Sequence, residues 1–223
     1  MDMERARSNR VERQIHHGGV HDARVLALMG TLRREDFVPQ HWRPFAFADM
    51  CIPLREDAAA LAAGCVMLPP RVEARMLQDL RLSGHERVLE IGAGSGFMAA
   101  LLGRSAQRVI SAELDAALAH SAQQNLRRAV IMNVQVHTGD GMQIALAEGP
   151  FDAILLSGAV TQVPDALIYQ LRPGGRLLAL VDTAPVMRAT LMQRDAGGAI
   201  FTQPWDAEAP MLRGLLSPEY LAV

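Results

Sequence analysis

Seven residues between positions 90 and 141 have the types and spacing to enclose a ligand: Glu90, Gly92, Gly94, Gly96, Glu113, Asp140 and Gly141. In "VLEIGAGSGF", Val88 to Phe97, an acid is followed by glycines at every second position. Backbone without a Cβ can take positive φ and approach a bound molecule closely. Amides at the start of the next helix are expected to favour a negative group such as a phosphate or carboxylate. Glu113 comes 19 residues after Gly94, where a carboxylate can accept both hydroxyls of a ribose. Asp140-Gly141 supplies a second acid, although an Asp-Gly pair also serves simply to end a strand in a turn.

These residues need a scaffold, and the surrounding pattern supplies one. "RVLEIG", "RVISAE", "VQVHTGD" and "FDAILLSG" read as short buried strands. Helical stretches "GFMAALLGRS" and "LDAALAHSAQQNLRRA" follow the first two, with Asp115 near the positive end of the second helix. "VPDALIYQLRPGGRLLALVD" reads as helix, turn and strand. Strands alternating with helices predict a parallel sheet covered on both faces. Ahead of it, Asp22 can cap a helix carrying Val25, Leu26, Leu28, Met29 and Leu32. Arg34 to Pro53 is proline-punctuated and reads as irregular, and "RVEARMLQDLRL" after Pro70 reads as a helix. At the far end, two runs flanking "DAGGA" predict an antiparallel hairpin. The expected fold is α/β: a Rossmann-like, doubly wound, mostly parallel sheet with helices on both faces. One domain spans 1–223: an N-terminal helical part with a substrate-side loop (1–82), a cofactor-binding core (83–185) and C-terminal strands (186–223).

A dinucleotide fingerprint wants its third glycine, or an alanine, at the sixth position counted from Gly92, and Phe97 stands there. The run Glu90-x-Gly92-x-Gly94-x-Gly96 instead resembles the first motif of the class I S-adenosyl-L-methionine (SAM) methyltransferases. Glu113 for the ribose, Asp140 against the adenine amino group, Asp152 opening the fourth strand and Pro173-Gly174-Gly175 before the fifth follow in that family's order. Asp152 reads mainly as structural. The resemblance implies SAM as cofactor and S-adenosyl-L-homocysteine (SAH) as product.

From about Val11 onward the chain is similar to the protein-L-isoaspartate (D-aspartate) O-methyltransferases. "VERQIHHGGVHDARVLALMGTLRREDFVP", "FAFADMCIPL", "ARMLQDLRLSGHERVLEIGAGSGFMAALL" and "FDAILLSGAVTQVPDALIYQLRPGGRLLALV" carry the likeness. It implies carboxyl O-methylation, with a carboxylate on a damaged protein or peptide as acceptor. The family's active-site loop reads close to Gly-Gln-Thr-Ile-Ser-Gln-Pro. Anchored on Ala74-Arg75-Met76-Leu77, this chain has "GCVMLPP", Gly64 to Pro70, so Val66 stands for the threonine, Leu68 for the active-site serine and Pro69 for the glutamine. A carboxylate with a pKa of about 4 needs no general base at neutral pH. It needs holding in line with the methyl group, and Val66 and Leu68 cannot donate a hydrogen bond. Isoaspartyl methylation is therefore expected to be weak or absent. The apolar run 58–70 could pack into the core or a subunit contact, or line a pocket for a less polar acceptor. A protein that binds SAM or SAH without transferring the methyl group is the remaining reading.

Composition narrows the field further. All 22 basic residues are arginine, which excludes lysine chemistry such as a Schiff base or a phosphate-loop lysine. A net charge of -2 does not suit a nucleic-acid binder. Ser95 is flanked by Ala93 and Phe97, so the Gly-x-Ser-x-Gly hydrolase elbow fails. Cys51 and Cys65 are far apart and the histidines are scattered, so no metal site is expected. Two cysteines and a charged N-terminus, read as solvated helix over residues 1–14, suggest a cytoplasmic protein with no membrane segment.

Overall fold

The computed structural model describes residues 3–183, 185–195 and 198–215. Its N-terminal part begins with α1 (Met3–Arg10), a π-helical turn (Val11–His16) and α2 (Ala23–Thr31). Asp22 caps α2, its carboxylate accepting from the amides of Arg24 and Val25. Short 3-10 helices, Arg34–Asp36 and Gln40–Phe45, occupy part of the proline-punctuated stretch that follows. Then come β1 (Ile52–Pro53), α3 (Ala58–Ala62) and β2 (Val66–Met67), with β1 and β2 pairing antiparallel, and α4 (Pro70–Leu80). Pro70 opens α4 where its missing N–H leaves no gap, and Val72, Met76, Leu77 and Leu80 form its buried stripe.

The core alternates β3 (Arg87–Ile91), α5 (Phe97–Gly103), β4 (Arg108–Glu113), α6 (Ala116–Arg128), β5 (Val134–Thr138), α7 (Gly141–Glu148), β6 (Phe151–Val160), α8 (Asp165–Tyr169) and β7 (Leu171–Thr183). The hairpin β8 (Val186–Asp195) and β9 (Gly198–Asp206) completes it. In space the order is β5-β4-β3-β6-β7-β8-β9. The first five strands run parallel, and β8 and β9 join antiparallel at one edge. Chain order reverses between β3 and β6, which is where open α/β sheets place ligands.

Side-chain alternation along the strands divides the interior in two. Val88, Ala153, Leu155, Leu178 and Leu180 face a core shared with α4, α5 and α6. Leu89, Ile91, Ile154, Leu156 and Leu177 face a second core shared with α7 and α8. The sheet is thus covered on both sides, which explains its near-continuous apolar strands. α7 did not emerge from the sequence pattern. Its start after Asp140 is a capped turn, with Asp140 accepting from the Met142 amide at 2.8 Å. Pro173-Gly174-Gly175 lies inside β7 as an irregularity: Leu171 pairs with Phe151 and Arg176 with Ala153. Asp152 is structural, accepting from the Arg87 amide at 2.7 Å and from the Arg172 guanidinium. No helix among the described residues is long and apolar enough to cross a membrane.

The N-terminal stretch has a solvated face, with Ser8, Asn9, Arg13 and Gln14 exposed, but two of its arginines turn inward. Arg10 is 1% exposed and donates to the Met29 carbonyl, and Arg7 pairs with buried Glu35. Beneath them lies Arg34, fully buried, which donates to Glu73 and to the carbonyls of Ala46 and Leu68. Its guanidinium also sits 5.0 Å from the centre of the Phe97 ring. Removing one member of a buried ion pair leaves an uncompensated charge. Arg34→Met should therefore lower unfolding free energy by about 3–5 kcal/mol, and adding Glu73→Leu should recover most of that loss. Urea unfolding of both variants checks this; a single variant within about 1 kcal/mol of the parent contradicts it.

Candidate active site

The glycine loop joins β3 to α5 at the carboxyl edge of the sheet. Gly92 has φ +99, and a Cβ there would lie 2.9 Å from Leu212 Cδ2. Gly96 has φ +81, and its Cβ would meet the backbone of Ala122 on α6 at 3.1 Å. Left-handed backbone and these close approaches together require glycine. Helix α6 can lie against the loop for this reason, and Asn125 from α6 donates to the Ser95 carbonyl at 2.8 Å.

Most amides of this loop are already taken by the protein itself. The amides of Gly92 and Ala93 donate to the Ala112 carbonyl at 2.8 and 3.1 Å, and that of Gly96 to Ala93 at 2.8 Å. Gly94 donates to the Glu113 carboxylate at 2.8 Å, and the Asp115 amide holds the other oxygen of Glu113 at 3.0 Å. These four N–H groups turn inward because the strand end, the loop's own carbonyl and Glu113 satisfy them. What it presents outward is bare backbone beside a carboxylate, an environment suited to hydroxyls and positive charge rather than to phosphate.

A cleft of about 690 Å³, its open mouth included, lies over this edge. Gly92, Gly94, Glu113 and Gly141 line it together with Val66 and Leu68. The structure thus brings the "GCVMLPP" loop face to face with the glycine loop; the Val66 carbonyl lies 3.8 Å from a Cβ built on Gly94. Leu68 is 6% exposed and its carbonyl is held by Arg34. A smaller cavity between Val66–Leu68 and Gly92–Ser95 continues from the cleft. Gly96 packs on α6 and Asp140 caps α7, so neither lines the cleft.

Glu90 is fully buried beneath the cleft, not on its wall. The hydroxyl of Ser111, on β4, donates to one carboxylate oxygen at 2.6 Å. The hydroxyl of Ser157, on β6, donates to the other at 2.9 Å. Burial pushes the Glu90 carboxyl up to about 7, with the two serines opposing the shift and the charges of Glu73 and Glu113 adding to it.

Two contributors escaped the sequence reading. Ser157 lines the cleft floor, and its only signal was its place in the carboxyl-terminal half of a strand. The segment after β9 forms the opposite rim. Ala159 donates to the Pro210 carbonyl at 2.8 Å and Leu212 donates to the Ala159 carbonyl at 2.7 Å. This part had been expected to continue as strand to 223; beyond β9 it forms only the isolated bridge at Met211, and residues 216–223 lie outside the described residues.

An open sheet with a glycine loop at its reversal point and an acid closing the neighbouring strand defines a Rossmann-like fold of the methyltransferase kind. Two solved structures share it. One described as a protein-L-isoaspartate O-methyltransferase aligns with a TM-score of 0.79 at 23% identity, covering 94% of this chain and 67% of its own. The other, a Plasmodium falciparum protein described as a β-aspartate methyltransferase in complex with SAH, aligns with a TM-score of 0.77 at 17% identity, covering 93% and 98%. In sequence, the family model for protein-L-isoaspartate(D-aspartate) O-methyltransferase matches residues 5–206. Protein-L-isoaspartate O-methyltransferases of Brucella anthropi and Rhodopseudomonas palustris are 37% and 43% identical to it. The first alignment covers 90% of this chain and 93% of the relative, the second 75% and 74%. The chain belongs to the protein-L-isoaspartate(D-aspartate) O-methyltransferase family.

Glu90 supplies a test of this geometry. Its neutral form favours the folded state, so its contribution is complete below about pH 4.5 and is lost as pH rises through about 7. Glu90→Gln removes that dependence. Between about pH 5 and pH 8 the variant should gain roughly 2–3 kcal/mol over the parent. Parallel denaturation curves at the two pH values would refute the buried placement.

Proposed function

We propose that this chain is a SAM-dependent methyltransferase whose cleft holds the cofactor between the glycine loop and Glu113. One observation carries the reading: the Glu113 carboxylate is fixed at 2.8 Å from the Gly94 amide, so acid and loop meet at the sheet's reversal point. An ionised carboxylate has about four acceptor sites. Two amides take two of them, and the others can accept ribose hydroxyls. Gly92 and Gly94 admit the methionyl part, and Gly141 borders the adenine side, with Asp140 behind it at the cap of α7. Glu90 supports the loop from below rather than touching the ligand, and Gly96 serves by letting α6 approach.

Bound SAM supplies an electrophilic methyl group. The protein's own task is to hold an acceptor oxygen in line with it and to exclude water. Val66 and Leu68 do the second and not the first. A carboxylate entering against them would lose hydration without a replacement donor, at a cost on the order of several kcal/mol. Isoaspartyl methylation is accordingly slow in this chain, and the apolar loop favours a less polar acceptor. The same feature supports a second reading, a protein that binds SAM or SAH without transfer.

Calorimetry should show SAM and SAH binding without NAD binding, and Glu113→Ala should weaken SAH by at least about tenfold. Failure of the parent to bind SAH would remove the whole reading. Against an isoaspartyl peptide, kcat/KM should fall at least about tenfold below that of a family member whose loop carries Thr and Ser, and Val66→Thr with Leu68→Ser should raise it. Turnover equal to such a member refutes the role given to the loop. Binding of SAH with no transfer to any acceptor in a broad panel selects the second reading.

A further inference from the structure

The loss of both loop hydroxyls raises the question of what else could hold an acceptor. Among the described residues lining the cleft, Ser157 is the one that carries a hydroxyl. It also lines the smaller cavity behind Val66 and Leu68, so it sits where the two spaces join. The other serine of that cavity, Ser95, keeps to the smaller space and does not line the cleft, and its oxygen accepts from the Phe97 amide at 3.2 Å. Ser157 stands in the carboxyl-terminal half of β6, just past its pairing with β3 and beside Gly92: its carbonyl oxygen and Cβ lie 3.6 and 3.7 Å from a Cβ built there. Strand ends at a reversal point are where reacting groups are presented.

We propose that Ser157, seated on Glu90, holds the oxygen of the methyl acceptor in this chain. The inference rests on the methyltransferase reading above. Its logic is the direction of one hydrogen bond. With Glu90 ionised, Ser157 and Ser111 both donate downward into it, and Ser157 offers the cleft only lone pairs. With Glu90 protonated, the carboxyl O–H donates to Ser157, whose own proton turns up into the cleft. A carboxylate can then be gripped by the Ser157 O–H, with Glu90 acting as a positioning residue behind it. The groups that face Glu90 are Ser111 on β4 and Ser157 on β6, with the carboxylates of Glu73 on α4 and Glu113 on β4 as its charged neighbours. Burial, with a smaller push from the charges of the two acids, favours the protonated form, so the donor arrangement is populated near neutrality. A single switchable hydroxyl in place of two fixed ones gives slower transfer than the paired Thr and Ser would.

The experiment compares the parent with Ser157→Ala, Ser157→Thr and Glu90→Gln. Each is titrated with SAH, then, loaded with SAH, with an isoaspartyl peptide, and each is assayed for methyl transfer to that peptide. Ser157→Ala should lower kcat/KM at least about tenfold and weaken the peptide by a similar factor, with SAH affinity held within about threefold. Ser157→Thr, which keeps the hydroxyl, should stay within about threefold of the parent in all three. In the parent, kcat/KM should fall as pH rises through about 7, and Glu90→Gln should flatten that limb. Unchanged transfer in Ser157→Ala, or equal loss in Ser157→Thr, overturns the proposal. So does a parent that binds SAH yet neither binds nor methylates the peptide, an outcome that leaves the cofactor reading standing. A parent that fails to bind SAH overturns both.

Discussion

One fully buried guanidinium ties the N-terminal part of this molecule to the start of the helix that leaves the glycine loop. Arg34 gathers the carbonyls of Ala46 and Leu68 and the carboxylate of Glu73 within the N-terminal part, and its guanidinium sits over the ring of Phe97 in the core. Phe97 begins the helix that leaves the glycine loop, and Leu68 belongs to the loop opposite. Arg34 therefore sets the spacing of the two walls between which a ligand must fit. A planar group with five donors can satisfy several acceptors in fixed directions at once, which a lysine cannot do. Burial lowers the Arg34 pKa, with Glu73 opposing that shift, so the guanidinium and its acid are each tolerated only in the presence of the other.

Local patterns in the sequence carried most of the architecture. Apolar strand runs, capping aspartates such as Asp22 and Asp115, and the glycines of the first loop all act through neighbours a few residues away, so their meaning survives in one dimension. Helix α7 was missed because its apolar residues are spread around its circumference and its start looks like a turn. The burial of Arg7 and Arg10 in the charged N-terminus is illegible for a different reason. Whether Arg10 is solvated depends on the Met29 carbonyl and the Phe47 ring arriving from elsewhere, and no spacing within "MDMERARSNR" encodes that. Ser157 belongs to the same class: a serine late in a strand is unremarkable until Glu90 is found beneath it.

The glycine loop shows how one motif can serve opposite electrostatics. Inward-turned amides and a flanking acid make the outer surface poor for pyrophosphate and compatible with a sulfonium and a diol. Three features distinguish this from a dinucleotide loop: Phe97 at the sixth position, Glu113 bonded back to Gly94, and an α5 of only seven residues whose first amide is taken by Ser95. The glycines are retained in both cases because close approach, not charge, is what they provide.

The rim formed by Pro210 to Leu212 is stitched to Ala159 through two main-chain bonds, and it faces the loop at residues 64–68. Segments drawn from distant stretches of the polypeptide thus face each other across the mouth. A molecule lodged there would act as a clasp, touching early, middle and late portions of the chain at once. Occupancy would then slow amide exchange far beyond the contact zone, because opening either flap would require letting the guest go.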